Sequence, residues 1–175
     1  MTEPETQRLK LRRIMADDAQ SMFDTWTSDP EVPKYMTWYA HKDVSETKRL
    51  VDIWLKDYEN PDCYRYVIVL KSTGEIIGMI DVVEYRDGCP VIGYCSGKRF
   101  WGNGYMTEAL KAFIGELFSD GYETLLIEAV KENIGSNRVI RKCGFEFTGS
   151  EVRPHSAAKP EPVTLNFYKL TRNVS

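Results

Sequence analysis

The feature that most constrains this chain is a strand, a glycine-bearing loop and a helix in immediate succession between Val91 and Phe118. Val91-Ile92-Gly93-Tyr94-Cys95-Ser96 reads as a short strand that feeds the loop Phe100-Trp101-Gly102-Asn103-Gly104. Beyond it, Ala109, Leu110, Phe113, Ile114, Leu117 and Phe118 recur at helical spacing until Asp120-Gly121 closes the pattern. A helix with one apolar face must lay it on another element, and the strand that leads into it implies a sheet. The two glycines let backbone amides turn inward at the helix start, where unsatisfied N–H groups and the helix dipole favour a diphosphate. The plain alternative is a tight turn with ordinary helix packing. The loop has no Gly-Lys-Ser/Thr and no GxGxxG, which argues against nucleotide hydrolysis and dinucleotide binding.

The flanking segments extend the pattern to a mixed α/β fold. Arg8-Leu9-Lys10-Leu11-Arg12 alternates as a first strand; Asp17-Asp18 supply an N-cap for a helix carrying Ala19, Met22, Phe23 and Trp26, stopped by Ser28-Asp29-Pro30. Leu50, Val51, Trp54, Leu55 and Tyr58 mark a second helix ending near Asn60-Pro61. Tyr64 to Leu70 and Glu75 to Tyr85 form a hairpin about Ser72-Thr73-Gly74, and Asp87-Gly88-Cys89-Pro90 turns into the next strand. Leu125 to Val130 is a buried strand and Ser136 to Cys143 a short helix capped by Gly144. Phe145 to Glu151 forms a further strand, and Val163, Leu165 and Phe167 alternate on the closing one. Ser156 to Pro162 reads as a mobile loop inside one domain spanning residues 1–175.

Composition bounds the partners. A formal charge of −3 over 175 residues argues against a phosphate-backbone binder, so no nucleic acid is expected. No stretch approaches the roughly 20 apolar residues of a membrane helix, and Met1 to Lys10 has no apolar signal core, which places the chain in the cytoplasm. Cys63, Cys89, Cys95 and Cys143 form no CxxC pair, so free thiols are expected and no metal.

Two long segments then narrow the function. Trp101-Gly102-Asn103-Gly104-Tyr105-Met106-Thr107-Glu108-Ala109-Leu110 and Asn133-Ile134-Gly135-Ser136-Asn137-Arg138-Val139-Ile140-Arg141-Lys142-Cys143-Gly144-Phe145 resemble the GNAT acetyltransferases, in the branch of the ribosomal-protein N-terminal enzymes. Arg8 to Arg12, Asp29-Pro30-Glu31-Val32 and Ile92-Gly93-Tyr94 are similar to the same branch, so the resemblance spans nearly the whole chain. It implies a mixed sheet splayed between the fourth and fifth strands, flanked by helices, with acetyl-CoA in the gap. Backbone groups of Tyr94, Cys95 and Ser96 are then expected to pair with the pantetheine arm, and amides of Gly102, Asn103, Gly104, Tyr105, Met106 and Thr107 to hold the pyrophosphate. Two registers fit the family's phosphate signature; the one running Trp101-x-x-Gly104-x-Met106 is preferred, and its Trp101 and Met106 depart from consensus.

The resemblance also assigns chemistry. Asn133 corresponds to a residue that contacts the pantetheine amides, the alternative being a turn-forming Asn. Ser136 stands where this branch protonates the departing thiolate, a helix cap being the alternative. Glu128 matches a carboxylate that accepts the amine proton through water, although strand glutamates commonly face solvent. Relatives often carry Glu just before Ile-Gly-Tyr; here Pro90-Val91 stand instead, and that carboxylate's duty is absent. Tyr35, Trp38 and Tyr39, with the loop from Arg153 to Pro162, are candidates for the acceptor wall, and His41 for substrate contact.

Direct transfer needs a neutral amine, an oxyanion donor such as the backbone amide near Ser96, and a proton for the thiolate. No metal is required, and Cys95 has no base partner that would make it an acyl carrier. At pH 7 an α-amine is neutral about once in ten, a lysine amine only about once in 2,500, so a weak base favours a peptide N-terminus or a small amine of similar pKa. Two rivals stand beside this reading: an acyl-CoA-binding module without turnover, and an interaction domain that modifies nothing. Homodimers are frequent in the family, and one is an expectation here.

Overall fold

In the computed structural model, which describes residues 3–172, seven strands form one mixed sheet. β1 (Leu9–Arg12), β2 (Arg65–Leu70), β3 (Ile76–Arg86) and β4 (Cys89–Ser96) are successive antiparallel neighbours. β5 (Thr124–Val130) runs parallel to β4, while β6 (Glu146–Pro154) and β7 (Pro162–Thr171) make a hairpin whose second strand pairs with β5. The helices are α1 (Asp18–Met22), α2 (Val44–Asp57), α3 (Tyr105–Ser119) and α4 (Ile134–Lys142).

Each face of the sheet has its own core. Ile80, Ile92, Ile127 and Tyr168 pack with Leu110, Phe113 and Leu117 of α3 and Ile140 of α4. Met79 and Cys95 pack on the opposite face with Met22, Trp26 and Val51. Side chains on paired residues share a face. Met79↔Cys95 and Asp81↔Gly93 therefore look toward α1 and α2, and Ile80↔Tyr94 toward α3. Ile76 to Asp81 are all buried because both layers cover them.

β4 and β5 meet only through Val91↔Leu126 and Ile92↔Ile127, then part. A parallel strand inserted beside an antiparallel set would be expected to continue its ladder; here residues 93–96 have no β5 partner, and the sheet splays as expected from the resemblance.

The structure changes three expectations, for the first helix, its cap and the 156–162 loop, and keeps the closing strand. The first helix is only one turn long and widens into a π-helical turn over Phe23–Thr27, closed by Ser28 N–H donating to Phe23 C=O at 3.3 Å. Asp17 makes no cap bond; Asp18 instead accepts the Met15 N–H and pairs with Arg12 at 2.7 Å. On β7, Val163, Leu165 and Phe167 line the face opposite α4, and the buried residues toward α4 are Asn166 and Tyr168. Finally, the 156–162 loop is tied down: Ser156 Oγ donates to Thr37 C=O at 3.0 Å and Lys159 Nζ to Pro33 C=O at 2.6 Å. Those carbonyls lie more than a hundred residues away, beyond the reach of a local reading.

Candidate active site

The loop before α3 is built to present amides. Gly102 and Gly104 both adopt φ of +77°, and Gly104 is the N-cap of α3. Glu108 N–H makes the first helical bond, to Gly104 C=O at 3.1 Å. Asn103 Nδ2 donates to the carbonyls of Phe100 and Trp101, and Arg8 ties Asn103 C=O and Glu108 down from the chain start. None of the amides from Gly102 to Thr107 donates to an acceptor among the described residues. Six such donors around a helix N-terminus suit a diphosphate.

Where β4 leaves β5, backbone groups of Gly93 to Ser96 that would have met a neighbour face the gap. An extended, amide-bearing ligand could complete that edge. One group is already engaged: the Trp101 indole N–H donates to Ser96 C=O at 2.9 Å.

Across the gap, Asn133 caps α4, its Oδ1 accepting the Ser136 N–H at 3.2 Å. Asn133 thus takes the capping role, and the Ser136 hydroxyl is released from it. Ser136 Oγ instead shares a hydrogen bond of 2.9 Å with the Tyr94 hydroxyl, which also lies 3.3 Å from Ser136 C=O. Burial raises the Tyr94 phenol above its ordinary range, so it holds its proton. The pair bridges β4 and the start of α4 at the mouth of the splay.

Sequence reasoning missed the residue that fixes this end of α4. Asn137 Nδ2 donates to Val130 C=O at 3.0 Å and Asn133 C=O at 2.7 Å; its Oδ1 accepts from Asn166 Nδ2 and the Tyr168 hydroxyl. All four hydrogen-bonding positions of a buried amide are filled. An Asn in mid-helix, unfavourable by propensity, was the available signal.

A cavity of about 770 Å³ runs from Asn133 and Ser136 past Tyr94 and Gly93 to Trp26, Trp38, His41 and Trp54. It joins the gap to the α1–α2 side of the sheet. Of the residues named for an acceptor wall, Tyr35, Trp38, Arg153 and His155 line this cavity, whereas Tyr39 is 60% exposed and lies outside it beneath Lys159. His41 Nδ1 shares a 2.7 Å bond with Thr47 Oγ1, which in turn meets Thr27 Oγ1 at 2.8 Å. The imidazole thereby pins the aromatic loop to α2, and burial lowers its pKa.

Glu128 stands on the same cavity wall with both oxygens engaged. Arg153 Nη2 donates to Oε1 at 2.8 Å, and Arg86 reaches Oε2 at 3.4 Å while also pairing with Glu84. The other carboxylate on this wall went unnoticed in the sequence. Asp81 is buried, and its Oδ2 accepts from Arg65 Nε at 3.1 Å. Burial pushes its pKa up to about 6 against the pull of Arg65. The available signal was an acid inside the otherwise apolar run Met79-Ile80-Asp81-Val82-Val83.

Cys95 presents its backbone to the gap, but its thiol is buried on the α1–α2 side and pushed up to about 12. That suits a packing role, in keeping with direct transfer. Among the described residues no group of His, Cys, Asp and Glu could hold a metal ion, and no helix is long and apolar enough to cross a membrane.

Comparison with known proteins places this geometry. Residues 8–146 match the family model of the acetyltransferase (GNAT) domain. An uncharacterised N-acetyltransferase of Bacillus licheniformis, p20, is 29% identical over 178 residues, covering 95% of this chain and 94% of its own. Among solved structures, the microcin C7 self-immunity acetyltransferase MccE, in complex with acetyl-CoA and AMP, superposes with a TM-score of 0.84 at 20% identity. It covers 95% of this chain and 94% of its own. RimL, a ribosomal L7/L12 α-N-protein acetyltransferase in complex with coenzyme A, does so at 0.82 and 19%, covering 96% of each chain. A self-immunity acetyltransferase and a ribosomal-protein acetyltransferase share the fold about equally, so no single branch stands out. With its family model matched over most of its length and the splayed sheet in place, the chain belongs to the GNAT acetyltransferases.

Proposed function

We propose that this protein transfers an acetyl group from acetyl-CoA directly to a primary amine, either a peptide N-terminus as in the ribosomal-protein branch or a small-molecule amine. The observation that carries the reading is the β4–β5 splay with the Tyr94–Ser136 hydroxyl pair at its mouth and an unpaired amide cradle at the start of α3. Acetyl-CoA, when bound, supplies the activated acetyl group as a thioester. Amides of Gly102 to Thr107 hold its pyrophosphate, and backbone groups of Tyr94 and Cys95 pair with the pantetheine arm. The Asn133 side chain, already capping α4, is placed to offer its remaining amide hydrogens to the same arm. Ser136 delivers a proton to the leaving sulfur, and Tyr94, whose raised pKa keeps its hydroxyl protonated, orients Ser136.

Glu128 acts on the acceptor side through water. Its two guanidinium partners hold it in place, so it relays a proton only where Arg86 or Arg153 yields a position to a water molecule. Tyr35, Trp38 and His41 contribute the acceptor wall.

The test is thiol release from acetyl-CoA with N-terminal peptides, polyamines, amino acids and aminoglycosides, beside a calorimetric CoA titration. Acceptor-dependent release is expected, with kcat falling by about 10²-fold in Ser136→Ala and CoA affinity unchanged. Tight binding without release would favour a binding module, and absence of CoA binding would overturn the reading.

A further inference from the structure

The acceptor-side wall carries three carboxylates, and their occupancy differs. Glu84 is paired with Arg86, and Glu128 with Arg86 and Arg153. Asp81 is 93% buried, yet only its Oδ2 is used; Oδ1 has no hydrogen-bond partner among the described residues. The residue lines the cavity, and Oδ1 lies 3.5 Å from the point a β-carbon on Gly93 would occupy. Gly93 has no side chain, and a Val83 methyl, 2.6 Å from the same point, shares that space, so Asp81 Oδ1 opens toward the cavity rather than toward the β4 edge.

The local pairing points the same way. Arg65 is the one cation paired with Asp81, and its Nη1 also pairs with Asp57 at 2.7 Å while its guanidinium lies 4.8 Å over Trp54. The Asp57 carboxylate is largely solvated, whereas the unpaired Asp81 oxygen faces the cavity beside Trp26, Trp54 and Met79. A largely buried carboxylate oxygen without a donor is costly unless a donor or a cation meets it.

Building on the acetyltransferase reading, we propose that Asp81 is the acceptor-binding residue of this site: its free oxygen receives the acceptor's primary ammonium, carried on an apolar stem, and then takes one proton from it. The neutral amine's lone pair forms the N–C bond to the acetyl carbon. The C–S bond breaks with its electron pair going to sulfur, which receives the second amine-derived proton by way of the Ser136 hydroxyl. Asp81 then releases its proton to solvent, so atoms and charge balance. The upward pull of burial on Asp81 brings its proton affinity closer to that of an α-amine than an exposed aspartate would be.

The test reads amine binding directly and does not require the natural acceptor. Indole N–H signals of 15N-labelled protein are followed on titration with n-butylammonium chloride and, separately, n-butanol at pH 7.5, with and without CoA. The wild type should bind the ammonium at least tenfold more tightly than the alcohol, shifting Trp26, Trp38 or Trp54. Asp81→Asn, of the same size, should abolish that preference while CoA affinity is unchanged. Equal preference in wild type and Asp81→Asn, or no preference in the wild type, would overturn the proposal. Should Asp81→Asn not fold, the wild-type preference is followed from pH 8 to pH 5. It should fade as Asp81 gains a proton beside Arg65, Asp57, Glu84, His41, Cys63 and Cys95, and a preference independent of pH would overturn the proposal. Failure to bind CoA would instead refute the acetyl-CoA reading, while the amine arm remains readable on the protein alone.

Discussion

Glu116 offers a quantitative check on how the α3 layer is held. It lies on the buried face of α3, where the Tyr66 hydroxyl donates to its Oε1 at 2.7 Å. Its Oε2 is buried and meets no hydrogen-bond donor among the described residues. Burial, with a contribution from Asp120, pushes its pKa up to about 7 from a reference of 4.5, in spite of the Tyr66 bond. The folded chain therefore binds more protons than the unfolded chain across this window. The stability associated with the protonated form is complete below about pH 4.5 and is lost as pH rises through about 7. At roughly 1.4 kcal/mol per pKa unit, the loss between pH 5 and pH 8 is about 2–3 kcal/mol. Glu116→Gln keeps the shape and the Tyr66 acceptor but cannot ionise. Its amide leaves one donor unmatched at a cost of about 1–2 kcal/mol at every pH. Urea unfolding followed by tryptophan fluorescence should find the variant no more stable than wild type at pH 5. Relative to wild type it should gain about 2–3 kcal/mol by pH 8. Asp81 titrates in both proteins and cancels. Parallel stability profiles for the two proteins would refute the reasoning.

Two further outcomes follow from buried groups. Asn137→Leu strands Val130 C=O, Asn133 C=O, Asn166 and Tyr168, and should cost about 3–5 kcal/mol in denaturant unfolding. Cys95, with a thiol pushed up to about 12 inside the α1–α2 core, should stay unlabelled by Ellman's reagent at pH 8 in the native protein. It should react only on unfolding, when peptide mapping finds all four cysteines modified, and its labelling in the native state would reopen a covalent route.

The order of elements was legible because hydrophobic period survives in a single sequence. The α3 face from Ala109 to Leu117 and the hairpin between β2 and β3 stand close to where their patterns put them. What depends on partners distant in sequence was not legible. The Phe23–Thr27 π-turn still carries helical apolar spacing, so periodicity alone assigns it to an α-helix. The 156–162 loop has the composition of a mobile segment, but its hydrogen bonds end on Pro33 and Thr37. Ser136 and Asn133 were singled out by the family resemblance, whereas their hydrogen bonding, Asn133 capping and Ser136 facing Tyr94, needed the α4 geometry.

The carboxylates show why the acceptor side was hardest to read. Glu128 was singled out because its position within β5 matched a pattern, yet pattern carries no information about Arg86 and Arg153, which arrive from β3 and β6. Asp81 matched no pattern and was passed over. The physical argument runs the other way: an acid inside Met79-Ile80-Asp81-Val82-Val83 must offset its burial through partners, and Arg65 on Oδ2 leaves Oδ1 without a donor among the described residues. The carboxylate absent before Ile92-Gly93-Tyr94 also has a spatial counterpart. Val91 pairs with Glu84 and Gly93 with Asp81, so β3 sets two acids on the face where β4 has none. Of these, Glu84 is exposed and held by Arg86, which leaves Asp81 as the acid with an unfilled oxygen inside the cavity. Charge on this wall of the cavity is thus conferred by register between neighbouring strands, and a search confined to positions along one strand misses it.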